Sequence, residues 1–291
     1  METRQFEYFV TVAEELSFTK AAQRLHAVQS TVSAAIKSLE AELGTTLFDR
    51  STRTVALSPA GLAFLPEAKA ALAAVEKAVS VVQEASAGVR GSLRIGTLTS
   101  LPAPDLPTML GEFHRRYPLV DIHVRMSMSG SSGMADDLRH GRLDIALLGL
   151  PDSALAGLNA RLVETRPLVA LLPHTHPFAR SRRIHLRDLA GEQFVDGPAG
   201  FGSRITIDRA FEALGRPRRV GIEVSDFKTI PEFVRAGLGI AIVPDWGYTA
   251  ADTVTRPLTG TDIQWRLTIA TRAGEHPSRA LRTLLDLIDS R

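Results

Sequence analysis

Cysteine is absent from the 291-residue sequence, which excludes disulfides, thiol nucleophiles and thiolate zinc sites and fits a reducing compartment. Long apolar runs are missing as well. The most apolar stretch, Ile145 to Leu150, has the length of a strand rather than the roughly 20 residues of a membrane span. The opening Met1-Glu2-Thr3-Arg4-Gln5 lacks the apolar core of a signal peptide, so a cytoplasmic location is expected. A dominant charge sign is lacking too, the net charge being +2. Residues 1–57 hold six basic residues against seven acidic ones, and the positive excess lies in residues 165–269, with fourteen basic and eleven acidic. Any nucleic-acid contact by the N-terminal segment must therefore rest on where particular residues point, not on bulk charge. What is present is ordinary globular material, 44% apolar and 23% charged, in a chain long enough for two or three compact units.

The first sixty residues are strongly patterned. Phe6, Phe9, Val10 and Ala13 recur at helical spacing, and Ser17 is suited to cap a second helix, Phe18 to Leu25. Leu25, Val28, Val32, Ile36, Leu39 and Leu43 then step by three or four, the stripe of a helix from about Gln29 to Leu43 that stops at Gly44. Two helices joined by the short turn His26-Ala27-Val28 make a helix-turn-helix. The face opposite the stripe carries Gln29, Ser30, Ser33, Ala34 and Lys37, short or amide side chains able to reach base edges, with one cation. Residues 49–57 read as a small hairpin with Arg50 and Arg53 at its tip, a wing suited to phosphate or minor-groove contact. Helix-turn-helix geometry also occurs outside DNA binding, so the pattern alone leaves a purely structural role open.

The run Phe18-Thr19-Lys20-Ala21-Ala22-Gln23-Arg24-Leu25, then Val28-Gln29-Ser30-Thr31-Val32-Ser33, Leu39-Glu40, Leu43-Gly44, Leu47-Phe48-Asp49-Arg50 and Leu57-Ser58-Pro59-Ala60-Gly61, resembles the signature of LysR-type transcriptional regulators. The resemblance implies DNA contacts from Ser17, Thr19, Gln29, Ser30, Thr31, Ser33, Lys37, Arg50 and Arg53. Two departures bear on operator preference: Ser30 stands where the family usually has proline, and Ala34 where an arginine is common.

From Ser58 to about Gly88 the chain is helix-rich, with Pro59 at the first helical position. Leu65, Ala68, Leu72, Val75, Val79 and Val82 step by three and four alternately, a narrow coiled-coil seam that seeks one partner helix. A dimerisation helix through Leu65, Leu72, Val75, Val79 and Val82 is expected; an ordinary helix packed on its own domain is the alternative. A dimer presents two recognition helices, so the operator should be an inverted repeat of double-stranded DNA. Residues 88–92 serve as a hinge.

Beyond it, strand and helix patterns alternate. Leu93-Gly96, Asp121-Met126 and Asp144-Leu148 read as strands, with helices Leu106–Tyr117 and Met134–Gly141 between them, which is βαβ logic. The alternation recurs with strands Leu168–Leu172, Gln193–Val195, Val220–Val224 and Ile240–Val243 and helices near Ser203–Leu214 and Lys228–Ala236. Strand Leu267–Ala270 and helix Pro277–Ile288 return to the first lobe. Gly130-Ser131-Ser132, Gly141-Arg142-Leu143-Asp144, His176-Pro177 and Ala236-Gly237-Leu238-Gly239-Ile240 extend the family resemblance over essentially the whole chain. It implies a sensor similar to type 2 periplasmic binding proteins. The expected fold is thus an α/β chain: a winged helix-turn-helix at 1–57 and a long dimerisation helix with hinge at 58–91. A two-lobed effector domain follows, with lobe 1 at 92–164 plus 268–291 and lobe 2 at 165–267.

Ligands in such folds bind at the carboxyl ends of strands and at helix N-termini. Three clusters lie there: Thr97, Thr99, Ser100 and Leu101; Ser127, Ser129 and Ser131; and Phe201, Gly202, Ser203 and Arg204. Their hydroxyls and free N–H groups suit a small organic anion, with Phe201 as an apolar wall and Arg204 as a cation, although single Ser and Thr residues also serve as helix caps. No cofactor or metal is expected, because His174, His176 and His185 lack metal-ligand spacing. No Gly-x-Ser-x-Gly, P-loop or paired His-Glu motif points to an enzyme, and a free solute-binding protein leaves the helix-turn-helix without a role. The resemblance further implies tetramers built from two kinds of dimer contact, and RNA polymerase as a partner.

Overall fold

The computed structural model describes residues 1–49, 55–98, 106–127, 129–247, 252–274 and 276–290, with backbone alone at 76–77 and 80–87. The chain divides into two compact units, Met1–Gly88 with His140–Arg142, and Val89–Arg139 with Leu143–Arg291.

The N-terminal unit contains α1 (Thr3–Glu15), α2 (Phe18–Arg24), α3 (Gln29–Leu43), β1 (Phe48–Asp49), β2 (Ala56–Leu57) and α4 (Pro59–Ala87). Ser17 caps α2, its hydroxyl accepting from the Lys20 N–H at 3.3 Å. The turn into α3 places His26 at φ +50°, a region L-residues rarely visit. Val32, Ile36 and Leu39 are fully buried against Phe9, Val12 and Phe48. Val28, expected on that stripe, is instead the exposed residue before the helix, because its extended backbone lies outside the 3.6-residue period that carries the stripe.

Glu40 ties α3 to the wing, accepting from the Leu47 and Phe48 N–H groups at 2.8 and 3.3 Å. Ser58 caps α4 through the Gly61 N–H at 3.0 Å and donates to the Thr46 carbonyl at 2.6 Å. Gly61 must be glycine, since a Cβ there would lie 2.1 Å from the Leu47 carbonyl oxygen. Phe64 stacks against Phe6 and Phe9 at 5.5 and 5.1 Å, and Leu65 and Ala68 join the same core. The expected dimer seam is therefore not a single free stripe. Leu65 is taken up by its own domain, Leu72 is half-buried, and Val75 and Val79 are exposed. The Val82 side chain lies outside the described residues.

The second unit is built on β3 (Gly91–Thr97), α5 (Leu106–Arg116), β4 (Val120–Met126), α6 (Gly130–Arg139) and β5 (Ile145–Leu148). β6 (Leu158–Pro173), β7 (Ile184–His185), β8 (Gln193–Asp196), α7 (Gly202–Ala213) and β9 (Arg219–Glu223) follow. The unit closes with α8 (Ile230–Arg235), β10 (Ala241–Pro244), β11 (Thr253–Thr259), β12 (Gln264–Arg272) and α9 (Arg279–Asp289). Lobe 1 holds β4-β3-β5, all parallel, flanked by β12 and the first half of β6 in antiparallel register. The second half of β6 pairs with β10 and β11 in lobe 2, where β8 and β9 run parallel.

β6 is a single 16-residue strand through both lobes, where the sequence pattern gives a crossing strand near Val163–Thr165 and the apolar run Leu168–Leu172 as separate pieces. Its first half mixes Leu158, Leu162 and Val163 with polar residues and is largely exposed, so no continuous apolar run joins the two pieces. Helix α6 starts at Gly130 rather than Met134, since two glycines and two serines hide a helical turn from propensity. Asp144 grips Arg94 through the backbone N–H at 2.8 Å and the guanidinium at 2.7 and 3.1 Å, joining the strand ends at the base of lobe 1. His176 caps the turn after β6, its Nδ1 accepting from the Phe178 N–H at 3.2 Å, which is a structural role.

Candidate DNA-binding surface and effector cleft

In the N-terminal unit α3 buries one face and turns the other outward. Gln29, Ser30, Thr31, Ala34 and Lys37 are exposed and Ser33 is half-buried, so these expected base- and phosphate-contacting residues share one accessible face of one helix. Thr19 is exposed on the first turn of α2, and Ser17, half-buried, caps that helix. The wing has its stem, with Phe48 opposite Leu57 and Asp49 opposite Ala56. Its tip, with Arg50 and Arg53, lies outside the described residues. Glu14 braces the helices from behind, pairing with Lys69 of α4 at 2.7 Å and Arg24 of α2 at 3.0 Å. Burial pushes the Glu14 carboxyl up, but the two cations outweigh it and hold it below the ordinary glutamate range.

In the second unit the N-termini of α6 and α7 meet between the lobes. The Ser132 N–H donates to the Gly200 carbonyl at 3.1 Å, a Cβ on Gly130 would lie 2.7 Å from the Phe201 ring, and one on Gly202 would lie 1.7 Å from the Gly149 oxygen. Glycine at 202 is thus what lets the lobes approach. The cleft here encloses about 30 Å³ and is lined by Leu98, Ser131, Gly149, Phe201, Gly202, Ser203, Phe227, Pro244, Trp246 and Trp265.

The expected residues Ser131, Phe201, Gly202 and Ser203 come together in this lining. Ser129 does not join them: it is exposed, and its hydroxyl lies 3.0 Å from that of Ser127. Thr99, Ser100 and Leu101 lie outside the described residues. Arg204, expected as a cation for an anionic ligand, is committed elsewhere, to Asp208 at 2.6 Å, Glu223 at 3.2 Å and the Gly197 carbonyl at 3.0 Å. Burial alone would lower its pKa, and these carboxylates, with Asp196, hold it above the ordinary arginine value.

Behind the cleft Arg218 and Asp196 form a pair at 2.5 Å with both side chains 1% exposed, and Arg218 also reaches Asp208 at 2.7 Å. The Arg218 guanidinium lies over the Phe194 ring at 5.0 Å. Burial raises the Asp196 carboxyl above the ordinary aspartate range against the pull of Arg218. Sequence reasoning missed Phe227, Trp246 and Trp265. One signal was available, since the chain has only two tryptophans and both stand in this lining. A larger cavity of about 340 Å³ lies in lobe 1 among Ile95, Met109, Leu147, Ile269 and Leu284. Its walls are apolar apart from Arg161, which pairs with Asp289, so the converging polar groups favour the interlobe cleft as the ligand site. Among the described residues no group of His, Asp and Glu has the arrangement of a metal site, and no helix is long and apolar enough to cross a membrane.

A winged helix-turn-helix unit followed by a two-lobed α/β unit with a lined cleft defines a class, the DNA-binding transcriptional regulators that carry a ligand-binding domain. Residues 3–62 match the bacterial regulatory helix-turn-helix protein, lysR family, and residues 86–291 match the LysR substrate binding domain. The chain belongs to the LysR family of transcriptional regulators. It is 36% identical over 257 residues to the transcriptional dual regulator GltC of Bacillus subtilis (strain 168), covering 88% of this chain and 84% of that one. It is 38% identical over 245 residues to the HTH-type transcriptional regulator ShiR of Corynebacterium glutamicum (strain R), covering 83% and 82%. A full-length OxyR structure from Pseudomonas aeruginosa superposes with a TM-score of 0.66 at 26% identity, covering 99% of this chain and 94% of that one. The chain is accordingly a DNA-binding regulator and not an enzyme, and its family binds operators and small-molecule effectors and forms oligomers.

Proposed function

We propose that this regulator recognises an inverted-repeat operator as an oligomer paired through α4, and that a small organic anion bound between the lobes of its second unit controls it. The DNA contacts are Gln29, Ser30, Thr31 and Ser33 at base edges, and Ser17, Thr19, Lys37, Arg50 and Arg53 at the backbone. The effector contacts are Ser131, Phe201, Gly202 and Ser203, with Thr99, Ser100 and Leu101, which follow β3 in the sequence. The observation that carries this reading is the convergence of the N-termini of α6 and α7, with the first-turn N–H groups of α7 left without helical acceptors and favouring negative charge. Binding there shifts the balance between lobe arrangements by the difference in affinity for each. The working form is a tetramer acting at the nucleoid in the cytoplasm and contacting RNA polymerase.

The test is a gel-shift titration against the DNA immediately upstream of the coding region, with salt varied. Saturable nanomolar binding that survives competitor DNA is expected. Weak binding that vanishes at moderate salt would refute specific recognition of that site.

A further inference from the structure

Taking the cleft as the effector site, we infer that its ligand is a flat aromatic carboxylate, held by hydrogen-bond donors alone and packed against an aromatic wall from lobe 2. Four of the ten lining residues are aromatic. Phe201 and Phe227 lie 5.7 Å apart and inclined by 37°, and Trp246 and Trp265 meet edge to face at 5.3 Å and 79°. All four come from lobe 2 or the start of β12, while lobe 1 contributes Leu98, Ser131 and Gly149. The gap is about 30 Å³, room for a water or two. A ligand that enters as the lobes part and stays as they close must therefore be thin, which selects a planar ring over a bulky or branched chain.

The polar lining selects the head group. Ser203 is 3% exposed, stands in the first turn of α7 and lines the gap, and its hydroxyl has no hydrogen-bond partner among the described residues. Ser131 is 1% exposed and accepts from the Gly149 N–H at 3.0 Å, so its own O–H is left to donate. The first bond into α7 is from the Ile205 N–H to the Phe201 carbonyl, which leaves the N–H groups of Gly202, Ser203 and Arg204 without helical acceptors. A buried donor set with this little to accept it matches a carboxylate, whose two oxygens only accept. No described carboxylate lines the gap to repel one. Because Arg204 is spent on Asp208, Glu223 and the Gly197 carbonyl, the anion is met by dipoles and hydroxyls rather than by a salt bridge.

Trp246 and Trp265 are the only tryptophans in the chain, so intrinsic fluorescence reports on this cleft. The full-length protein is titrated with benzoate, cyclohexanecarboxylate, benzamide and glutarate, with excitation at the red edge of tryptophan absorption, where the ligands do not absorb. Saturable change with benzoate is expected. Cyclohexanecarboxylate, lacking the flat π-face, and benzamide, lacking the charge, should each bind about tenfold more weakly. Ser203→Ala should weaken benzoate about fivefold through the lost hydrogen bond. Glutarate or cyclohexanecarboxylate binding as tightly as benzoate, with the same loss in Ser203→Ala, would overturn the aromatic class and leave the cleft as a small-anion site. Benzoate binding that Ser203→Ala and Ser131→Ala leave unchanged would place the ligand elsewhere and overturn the cleft reading as well. No response to any of the four acids and amides at millimolar concentration also overturns the inference, while the operator gel shift, which needs no effector, tests regulator function separately.

Discussion

The two units place their chemistry on opposite sides of their cores. In the N-terminal unit Phe9, Val32, Ile36 and Phe48 are sealed inside, and Gln29, Ser30 and Lys37 stand outside on the free face of α3. In the second unit Ser131, Ser203 and Trp265 are themselves buried, and the ionic network of Arg218, Asp196 and Asp208 lies directly behind them. An exposed recognition face can change without disturbing the fold. A cleft lined by buried groups cannot, so in that unit affinity and stability are coupled.

The largest effect that would sharpen this contrast is expected at the buried ion pair. Arg218→Ala leaves Asp196 buried without its partner, and a loss of about 3–5 kcal/mol in denaturant unfolding is expected. Arg24→Ala in the N-terminal unit removes two ion pairs at the surface, to Glu14 and Glu15, and should change unfolding only slightly. If the two variants lost equal stability, the contrast would fail.

Next come two glycines that face carbonyl oxygens at very short range. Gly202→Ala and Gly61→Ala both drive a methyl group into backbone, and each should lose about 1–3 kcal/mol. They should differ in function. Gly202→Ala abolishes the ligand-dependent fluorescence change because the lobes no longer close, and Gly61→Ala weakens operator binding because Leu47 and the wing stem shift. Gly202→Ala with normal ligand response would break the assignment of the cleft.

Substitutions on the exposed face should be silent in unfolding and visible on DNA. Gln29→Ala and Ser33→Ala should each alter base preference by about 1–3 kcal/mol in competition gel shifts, with stability held within about 0.5 kcal/mol. Lys37→Ala should lower affinity for all sequences and reduce the salt slope by about 1. A sequence-dependent effect of Lys37→Ala would move it from a phosphate to a base.

The smallest effect concerns acid. Glu14 has a pKa below its ordinary range in the folded protein, so its stabilising contribution is present at neutral pH. It is lost as pH falls from the ordinary glutamate range through the lowered value. Glu14→Gln should flatten the acid limb of N-terminal-unit stability and leave stability differences at high salt small, since the group is partly exposed. Acid sensitivity equal in the two proteins would show that Lys69 and Arg24 do not hold Glu14 in solution.

The N-terminal unit was legible in the sequence, because local spacing carries its information. The 3.6-residue stripe of α3, the Ser17 cap, Gly44 at φ +65° and the outward face of Gln29, Ser33 and Lys37 all follow from residues within a few positions of one another. The βαβ order of the second unit was legible for the same reason, from the apolar strand Ile145–Leu148 and the amphipathic helices beside it. The remainder came from long-range packing. It joined the crossing strand near Val163–Thr165 and the apolar Leu168–Leu172 into one strand spanning both lobes, packed Leu65 against the core of its own domain, and paired Arg204 with Asp208. It also brought Phe227, Trp246 and Trp265 to Ser131 across up to 134 positions of sequence. No local periodicity encodes such a meeting, which is fixed by strand pairing and by which charges burial forces together.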